Sequence, residues 1–409
     1  MKTIRISLIL LGCTIISLFL LQNQIVHLIV GPQKSTERSS YSAETNKLID
    51  SLCNNITNYT DYHCHVIGLG ANKTGCTLHP HLHQDFKPLD NFKFKIYKEA
   101  CGIRDEEHLD EEYISHLLDL KHGLPFKNKS IILAFDKYYN KDGNAIEEYT
   151  HFYVPNEYVI DLQTKYPNDF KACISINPYR KDALTELEKY GEMGVKQLKW
   201  LPNAMGINPS DSSIIPFYEL MKKYDIALLS HTGDEHSVDT HLDQELGNPL
   251  LLRLPLDIGV KVIVAHCASI GDAVDLDHPE LIETQNFELF IRMMNNPKYD
   301  TLLFADISAI TLANRSTAPL KVLLKNQQWH SRLLQGSDYP LPCIKQIITP
   351  NTLLNERFID KKYETALHEI FEHNPLLYEI ILKKLIHLPV QPDCKFTDDV
   401  FLTNKKLGY

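Results

Sequence analysis

Eight short, mostly apolar runs recur along this chain, and a polar or ionisable residue lies at or next to the end of each of them. The runs are Tyr59–His65, Ser130–Phe135, Phe170–Ile176, Val195–Trp200, Ile226–Ser230, Val262–Ala265, Leu302–Ala305 and Arg332–Gln335. Continuous apolar runs of this length are typical of strands that are buried on both faces, as in parallel sheets. The sequence therefore predicts a sheet of parallel strands.

Amphipathic helical patterns separate most of these strands. They cover Asn156–Lys165, Asp182–Met193, Ile214–Tyr224, Pro249–Ile258, Phe287–Asn295 and Pro319–Gln327. Asp182 stands where a helix N-cap is expected, and Gly194 and Gly259 stand where helices are expected to end. Strand–helix alternation repeated about eight times, with ionisable residues at the strand ends, predicts an α/β fold of the (β/α)₈ TIM barrel type.

Two histidines lie at the end of the first strand, in Asp61-Tyr62-His63-Cys64-His65. Side chains at positions i and i+2 of a strand point to the same face, so His63 and His65 can offer two imidazole nitrogens to one ion. Histidines and carboxylates also follow later strands. A catalytic zinc ion takes nitrogen and oxygen ligands from separate rigid elements and keeps one position open for water, whose pKa it lowers toward neutrality.

The set His63-x-His65, His231, His266 and Asp338 resembles the amidohydrolase superfamily, in particular its amidohydrolase-related branch of metal-dependent hydrolases and non-oxidative decarboxylases. The resemblance extends over roughly residues 59–385. It implies a divalent metal, most simply one Zn²⁺, held by His63, His65, His231 and Asp338. His266 would face the bound water, and Asp338 would also carry its proton. Lys199 lies at about the position where two-metal members of the superfamily carry a carboxylated lysine. The presence of a second metal ion therefore remains an alternative.

Five further assignments concern substrate contacts, and the candidates are Asp136, Arg180, Lys199, Glu235 and Asp306. Arg180 either binds a substrate carboxylate through paired N–H groups or lies on the barrel surface. Asp136 and Asp306 either contact substrate or orient the ligand histidines, and Glu235 has the same two roles open to it. Lys199, if it is not carboxylated, either contacts substrate or is structural.

Other segments flank or interrupt the predicted barrel of residues 59–387. Residues 66–129 form an unusually long first loop, which we expect to cover the active site as a lid. Residues 31–58 are predicted to be a linker, and residues 388–409 a tail packed on the outside. Residues 6–30 are mostly apolar and long enough to cross a bilayer, which predicts an uncleaved membrane anchor over residues 1–30. The alternatives, in order, are a cleaved signal peptide and a lipoprotein signal. The flanking basic residues slightly favour a barrel on the non-cytoplasmic side.

Composition narrows the possible functions. A formal net charge of −10 disfavours nucleic-acid binding, and 44% hydrophobic residues suit one barrel of the usual size. The sequence favours a metal-dependent hydrolase that acts on an amide, ester or lactone of a small organic substrate. The alternatives are decarboxylation of an unsaturated or aromatic acid, and a membrane-tethered binding protein that has lost catalysis. An enzyme is favoured because none of the five ligand-type residues is missing.

Overall fold

The computed structural model describes residues 21–83, 88–236, 238, 240 and 243–409. Its central strands, β1 to β8 in chain order, are Tyr59–His65, Asn128–Leu133, Phe170–Cys173, Gln197–Trp200, Ala227–Ser230, Val262–Val264, Leu303–Asp306 and Leu333–Leu334. Strands β1 to β3 and β4 to β8 form two parallel ladders. Parallel bridges between Ile174 and Leu198, and between Cys64 and Tyr339, join these ladders into a closed sheet. The predicted (β/α)₈ barrel is confirmed.

Helices surround this barrel. The main ones, α1 to α11 in chain order, are Ala43–Cys53, Pro88–Ala100, Leu109–His122, Asn156–Lys165, Ala183–Glu192, Ile215–Lys223, Arg253–Ile258, Asn286–Met294, Ala318–Lys325, Glu364–His373 and Pro375–Leu385. The predicted helices agree with α4 to α6, α8 and α9 within two residues at each end, and a 3₁₀ turn at Pro249–Leu252 precedes α7. Gly259 ends α7 with a φ of 102°, which glycine adopts without strain. Asp182 lies at the N-cap of α5, but its carboxylate accepts hydrogen bonds from Arg180 instead of from the helix.

The tail predicted to pack on the outside instead reaches the interior of the barrel. Leu407 is 1% exposed and belongs to an apolar cluster built from side chains of the barrel strands, and Tyr409 packs against the same cluster. The rings of Tyr409 and Tyr62 meet edge to face, with 5.9 Å between centroids. The backbone N–H of Thr403 donates to the carbonyl of Asn58, just before β1 begins. The tail therefore closes the end of the barrel where the strands start.

The predicted linker contains a helix that is part of the core. In α1, Ile49 and Cys53 are buried, and the helix packs against α10 and α11. The Ser42 hydroxyl caps α1 by accepting the N–H of Thr45. Residues 31–58 are thus not an extended linker throughout.

The predicted membrane anchor is wrong for the residues that can be described. Within that part of the chain, no helix is both long enough and apolar enough to cross a bilayer. Residues 21–30 are helical, but Val26 and Val30 are buried in the core, and Lys95 of α2 donates a hydrogen bond of 3.0 Å to Gln22. The prediction that the barrel lies outside the cytoplasm depended on this anchor, so it is no longer supported. Residues 6–20 of the predicted span lie outside the described residues.

The long first loop folds over the C-terminal ends of the strands. It contains α2 and α3, and its short strand Thr77–Leu78 pairs antiparallel with Phe152–Tyr153 of the loop after β2. The Tyr113 hydroxyl of α3 donates to the carbonyl of His65 at 2.8 Å. These contacts attach the loop to the barrel beside the strand-end residues of β1.

Candidate active site

A cavity of about 280 Å³ lies at the C-terminal ends of the strands. Its ionisable lining includes His63, His65, Lys199, His231, Glu235, His266 and Asp338. The first loop adds an apolar wall of Ile67, Leu78, Leu82, Phe94 and Tyr97. The predicted strand-end residues therefore share one cavity with the predicted lid, as is usual for enzymes of this fold.

Three of the predicted metal ligands converge on one point. The Nε2 atoms of His63 and His65 are 3.1 Å apart, and Asp338 Oδ1 lies 3.6 Å from the first and 3.2 Å from the second. Ligand atoms bound at 2.0–2.2 Å to one ion stand about 2.8 to 3.6 Å apart at angles near 90–109°. The donor atoms and their spacing therefore fit a divalent metal, and the same three residues form a possible metal-binding group.

The buried carboxylate of Asp61 connects the two chain segments that carry these ligands. Asp61 Oδ1 accepts the N–H of His63 at 3.1 Å and that of Ser337 at 2.9 Å, while its Oδ2 accepts the Ser337 hydroxyl at 2.6 Å. The N–H of Asp338 donates to the carbonyl of His63 at 2.7 Å. The end of β1 and the segment after β8 are thus fixed to one another.

Asp306, a predicted substrate or orienting residue, takes the orienting position. It is 0% exposed and is absent from the cavity lining, and its Oδ2 lies 3.0 Å from His63 Nδ1. Burial opposes ionisation of Asp306, but His63 and the Ser308 hydrogen bond outweigh it and hold the pKa well below its usual range. Burial, aided by the charge of Lys199, lowers the pKa of His63, which favours the neutral imidazole that a metal requires.

His266 projects from a left-handed turn at the end of β6. His266, Cys267 and Ala268 all have positive φ values, of 54°, 51° and 49°. The His266 ring stacks on that of His63 with 4.9 Å between centroids and an angle of 25°. Burial lowers its pKa well below the usual value, which favours the neutral form of the ring.

His231 lies in the cavity but outside the group of three ligands. Its Nε2 lies 3.3 Å from the carbonyl of Asp234 and 3.5 Å from Glu235 Oε2, and its ring meets that of His266 edge to face. Burial lowers the pKa of His231 to about 4. Its predicted role as a metal ligand requires the ring to exchange those contacts for the ion. Glu235 lines the cavity beside it, where substrate contact is possible.

Lys199 is fully enclosed beside the ligand group. Its Nζ lies 3.4 Å from His63 Nε2, and burial lowers its pKa. The lowered pKa favours the neutral amine, which is compatible with a role next to the metal.

Arg180 and Asp136 are not brought to the site. Arg180 donates to Asp136 at 3.0 Å and to both carboxylate oxygens of Asp182, at 2.9 and 2.8 Å. Neither Arg180 nor Asp136 is among the described residues that line the cavity. The expected substrate contacts are replaced by an ion-pair cluster, because the nearby carboxylates satisfy the guanidinium.

Sequence reasoning missed two residues in the loop after β7. Arg315 lines the cavity, and its Nη1 donates to the Ser269 hydroxyl at 2.6 Å. Its Nε is buried without a hydrogen-bond partner among the described residues. The Ser308 hydroxyl lies 2.8 Å from His266 Nδ1. The i, i+2 spacing of Asp306 and Ser308 could have revealed Ser308, whereas no pattern marks Arg315.

The fold and the site together define a metal-dependent TIM-barrel enzyme. Residues 61–376 match the family model described as "Amidohydrolase". The chain therefore belongs to the amidohydrolase family, which supports an enzyme over the alternative of a silent binding protein. A comparison with curated proteins finds no match.

The solved structures to which this chain is similar are distant from it in sequence. An uncharacterized TIM-barrel protein from Bordetella bronchiseptica is 14% identical, with 80% of this chain and 99% of that chain covered and a TM-score of 0.47. A 5-carboxyvanillate decarboxylase from Sphingomonas paucimobilis is 10% identical, with 80% and 96% covered and a TM-score of 0.42. A 4-oxalomesaconate hydratase from Rhodopseudomonas palustris is 12% identical, with 80% and 97% covered and a TM-score of 0.42.

Proposed function

We propose that this protein hydrolyses an amide, ester or lactone of a small organic substrate in the cavity at the strand ends. The observation that carries the proposal is the convergence of His63, His65 and Asp338 next to the ring of His266. Three ligand atoms with the spacing of a metal site, beside a group able to take a proton, are the parts that hydrolysis by an activated water requires.

The metal would be held by His63, His65, Asp338 and a reoriented His231, and one Zn²⁺ suits this set of nitrogen and oxygen donors. When bound, the ion supplies an acidified water and polarises the substrate carbonyl. His266 takes a proton as general base and returns it to the leaving group. Asp338, whose pKa is held low by the surrounding histidines against the effect of burial, stays ionised as a ligand.

The walls of the cavity support a small substrate with an apolar part. Phe94, Tyr97 and Leu82 of the first loop face the ionisable floor across a space of about 280 Å³. Such a volume lies at the lower end of the range for small-molecule sites. The apolar wall excludes water from the substrate and so strengthens the electrostatic interactions on the floor.

A panel of chromogenic esters, amides and lactones tests the proposal on the metal-loaded protein. We expect turnover of at least one substrate class, lost in His266→Ala and retained in Asp136→Asn, which alters a buried carboxylate outside the cavity. Hydrolysis that survives in His266→Ala at the wild-type rate would contradict the proposed base. The absence of any hydrolysis, combined with release of CO₂ from an acid, would exclude hydrolysis in favour of the second candidate.

That second candidate is decarboxylation of an unsaturated or aromatic acid, and Arg315 favours it. Burial lowers the pKa of Arg315, an effect that Asp338 and Glu235 partly offset. Its Nε is buried without a partner among the described residues, so a substrate carboxylate would satisfy it. Incubation with aromatic and unsaturated acids, followed by measurement of released CO₂, tests this candidate. Arg315→Met should then raise KM for these acids, whereas Asp136→Asn should leave it unchanged.

A further inference from the structure

Asp306 forms a hydrogen-bond cluster that reaches two histidines of the site at once. Its Oδ2 lies 3.0 Å from His63 Nδ1. Its Oδ1 accepts the backbone N–H groups of His266 and Ser308, each at 3.0 Å, and also the Ser308 hydroxyl. The carboxylate is 0% exposed, so these donors replace water as its partners.

The contact with Asp306 determines which nitrogen of His63 carries the proton. An ionised carboxylate can only accept hydrogen bonds, so the Nδ1 of His63 must donate. The neutral ring then has a lone pair on Nε2. This is the atom that lies 3.1 Å from His65 Nε2 and 3.6 Å from Asp338 Oδ1. His63 is thus held in the tautomer that is able to bind a metal at the point where the ligands converge.

The tautomer of His266 follows from Ser308. The single hydroxyl proton of Ser308 is donated to Asp306, so the hydroxyl oxygen, 2.8 Å from His266 Nδ1, must accept. The backbone carbonyl of Ser308, 3.3 Å from the same nitrogen, can also only accept. Both contacts require a proton on Nδ1 of His266. The lone pair therefore lies on its Nε2.

The same carboxylate also holds the backbone from which His266 projects. His266 is the first of three consecutive residues with positive φ, a conformation that is strained for residues other than glycine. The N–H of His266 donates to Asp306 at 3.0 Å, which stabilises this turn. The ring position and the ring tautomer of His266 thus both depend on Asp306.

We propose that Asp306 is a positioning residue that sets the tautomers of two histidines with different duties. It acts on His63, a metal ligand, directly, and on His266, the general base, through Ser308. The duties rest on the proposed function, whereas the tautomers follow from hydrogen-bond geometry alone. A competing interpretation makes Asp306 a metal ligand together with Nδ1 of His63 and a nitrogen of His266, since these residues form a second possible metal-binding group.

The first test is nitrogen NMR of the metal-free protein with ¹⁵N-labelled histidine. Difference spectra against His63→Gln and His266→Gln assign the two rings. We expect the neutral form of both rings to carry its proton on Nδ1. A neutral ring with its proton on Nε2 would overturn the proposal for that histidine. An inactive protein with the expected tautomers would contradict the proposed hydrolysis and leave this inference standing.

The second test compares how tightly three variants retain Zn²⁺ against a competing chelator. In Asp306→Asn the amide nitrogen would face His63 Nδ1 and force the proton onto Nε2, so zinc affinity should fall about 10- to 100-fold. Ser308→Ala removes a hydroxyl that accepts from His266 Nδ1 and lies 3.4 Å from His63 Nδ1, but it keeps the closer contact of 3.0 Å between Asp306 and His63, so zinc affinity should stay within about threefold. The His266 ring then keeps only the longer contact of 3.3 Å with the Ser308 carbonyl, so its spectrum should gain a share of the Nε2–H form. Asp136→Asn, a buried carboxylate outside the cavity, should match wild type.

Several outcomes would overturn the proposal. One is wild-type zinc affinity and an unchanged His63 spectrum in Asp306→Asn. A second is a zinc loss in Ser308→Ala as large as that in Asp306→Asn, because Ser308 would then act on the ligand His63. A third is two bound ions in wild type and one in Asp306→Asn, which would make Asp306 a ligand. If Asp306→Asn does not fold, Ser308→Ala and the wild-type spectrum still decide the matter.

Discussion

The imidazole rings of His63 and His266 stack at an angle of 25° with 4.9 Å between their centroids, although β1 and β6 do not pair with each other. One ring has its Nε2 among the converging ligand atoms, and the other is held through Ser308. Two histidines in contact thus have different surroundings, so their roles can be separated by substitution.

The first prediction separates base from ligand. His266→Ala should keep most of the metal and lose about 10²- to 10⁴-fold in rate, which is typical for removal of a general base. Asp338→Ala should lose both metal and activity, because Asp338 lies among the ligand atoms. Metal content and turnover are measured on the same preparations. A metal-free His266→Ala would make His266 a ligand.

The second prediction concerns stoichiometry. Protein purified without added metal should contain about one divalent ion per chain, and the combined change His63→Ala and His65→Ala should remove it. His231→Ala should weaken retention if the ring joins the site on binding. Elemental analysis measures the metal content of the wild type, of the double variant and of His231→Ala. Two ions per chain after growth with bicarbonate, reduced to one in Lys199→Ala, would instead indicate a carboxylated Lys199.

The third prediction uses Lys121, a buried lysine of α3 whose amine donates to Asn128 at 2.7 Å and Ser130 at 3.0 Å. Burial lowers its pKa from 10.5 to about 8. Between these values the unfolded chain binds the proton and the folded protein does not, so the Lys121 contribution to the free energy of unfolding rises with pH, by about 3 kcal/mol. Below pH 8 both states are protonated and the contribution is constant.

Denaturant unfolding of wild type and Lys121→Met between pH 7 and 10.5 checks this pH dependence. The difference between their free energies of unfolding should be flat up to pH 8 and then rise in favour of wild type. Lys47→Met, at an exposed lysine of α1, provides the control, and its difference from wild type should not change. A flat difference for Lys121→Met would mean that the buried amine titrates normally.

The fourth prediction concerns the tail. Leu407 is 1% exposed within the apolar cluster of the barrel interior, so Leu407→Ala should lower the free energy of unfolding by about 2 to 5 kcal/mol. Val390→Ala, at a residue that is 87% exposed, should change it by less than about 0.5 kcal/mol. Equal effects in the two variants would show that the tail does not contribute to the core.

The strand-end residues were predictable because two simple sequence patterns mark their positions. Burial on both faces makes the barrel strands continuously apolar, and the i, i+2 rule places His63 and His65 on one side. Arg315 was missed because it lies in a loop without any period. A sequence does not reveal that Asp136 and Asp182 surround the guanidinium of Arg180, so the sequence left open both a substrate contact and a surface position for it.

The segments outside the barrel were harder to predict for a related reason. Residues 21–30 are apolar, but hydropathy does not distinguish a face that meets lipid from one that meets protein. Val26 and Val30, one helical turn apart, both face the core. In α1, few apolar residues mark the buried face, so its mostly polar sequence resembled a linker.

The lid and the ligand-bearing strand ends come from separate stretches of the chain. Leu78, Leu82, Phe94 and Tyr97 all lie between β1 and β2, whereas the ionisable residues on the floor of the cavity lie at or just after the ends of several strands, β1 among them. Selection on which molecules enter can therefore act on one insertion without disturbing the chemistry. In evolutionary terms the substrate range and the reaction are therefore separable traits. Replacing the insertion between β1 and β2 by that of a relative would alter the substrate range and preserve the reaction.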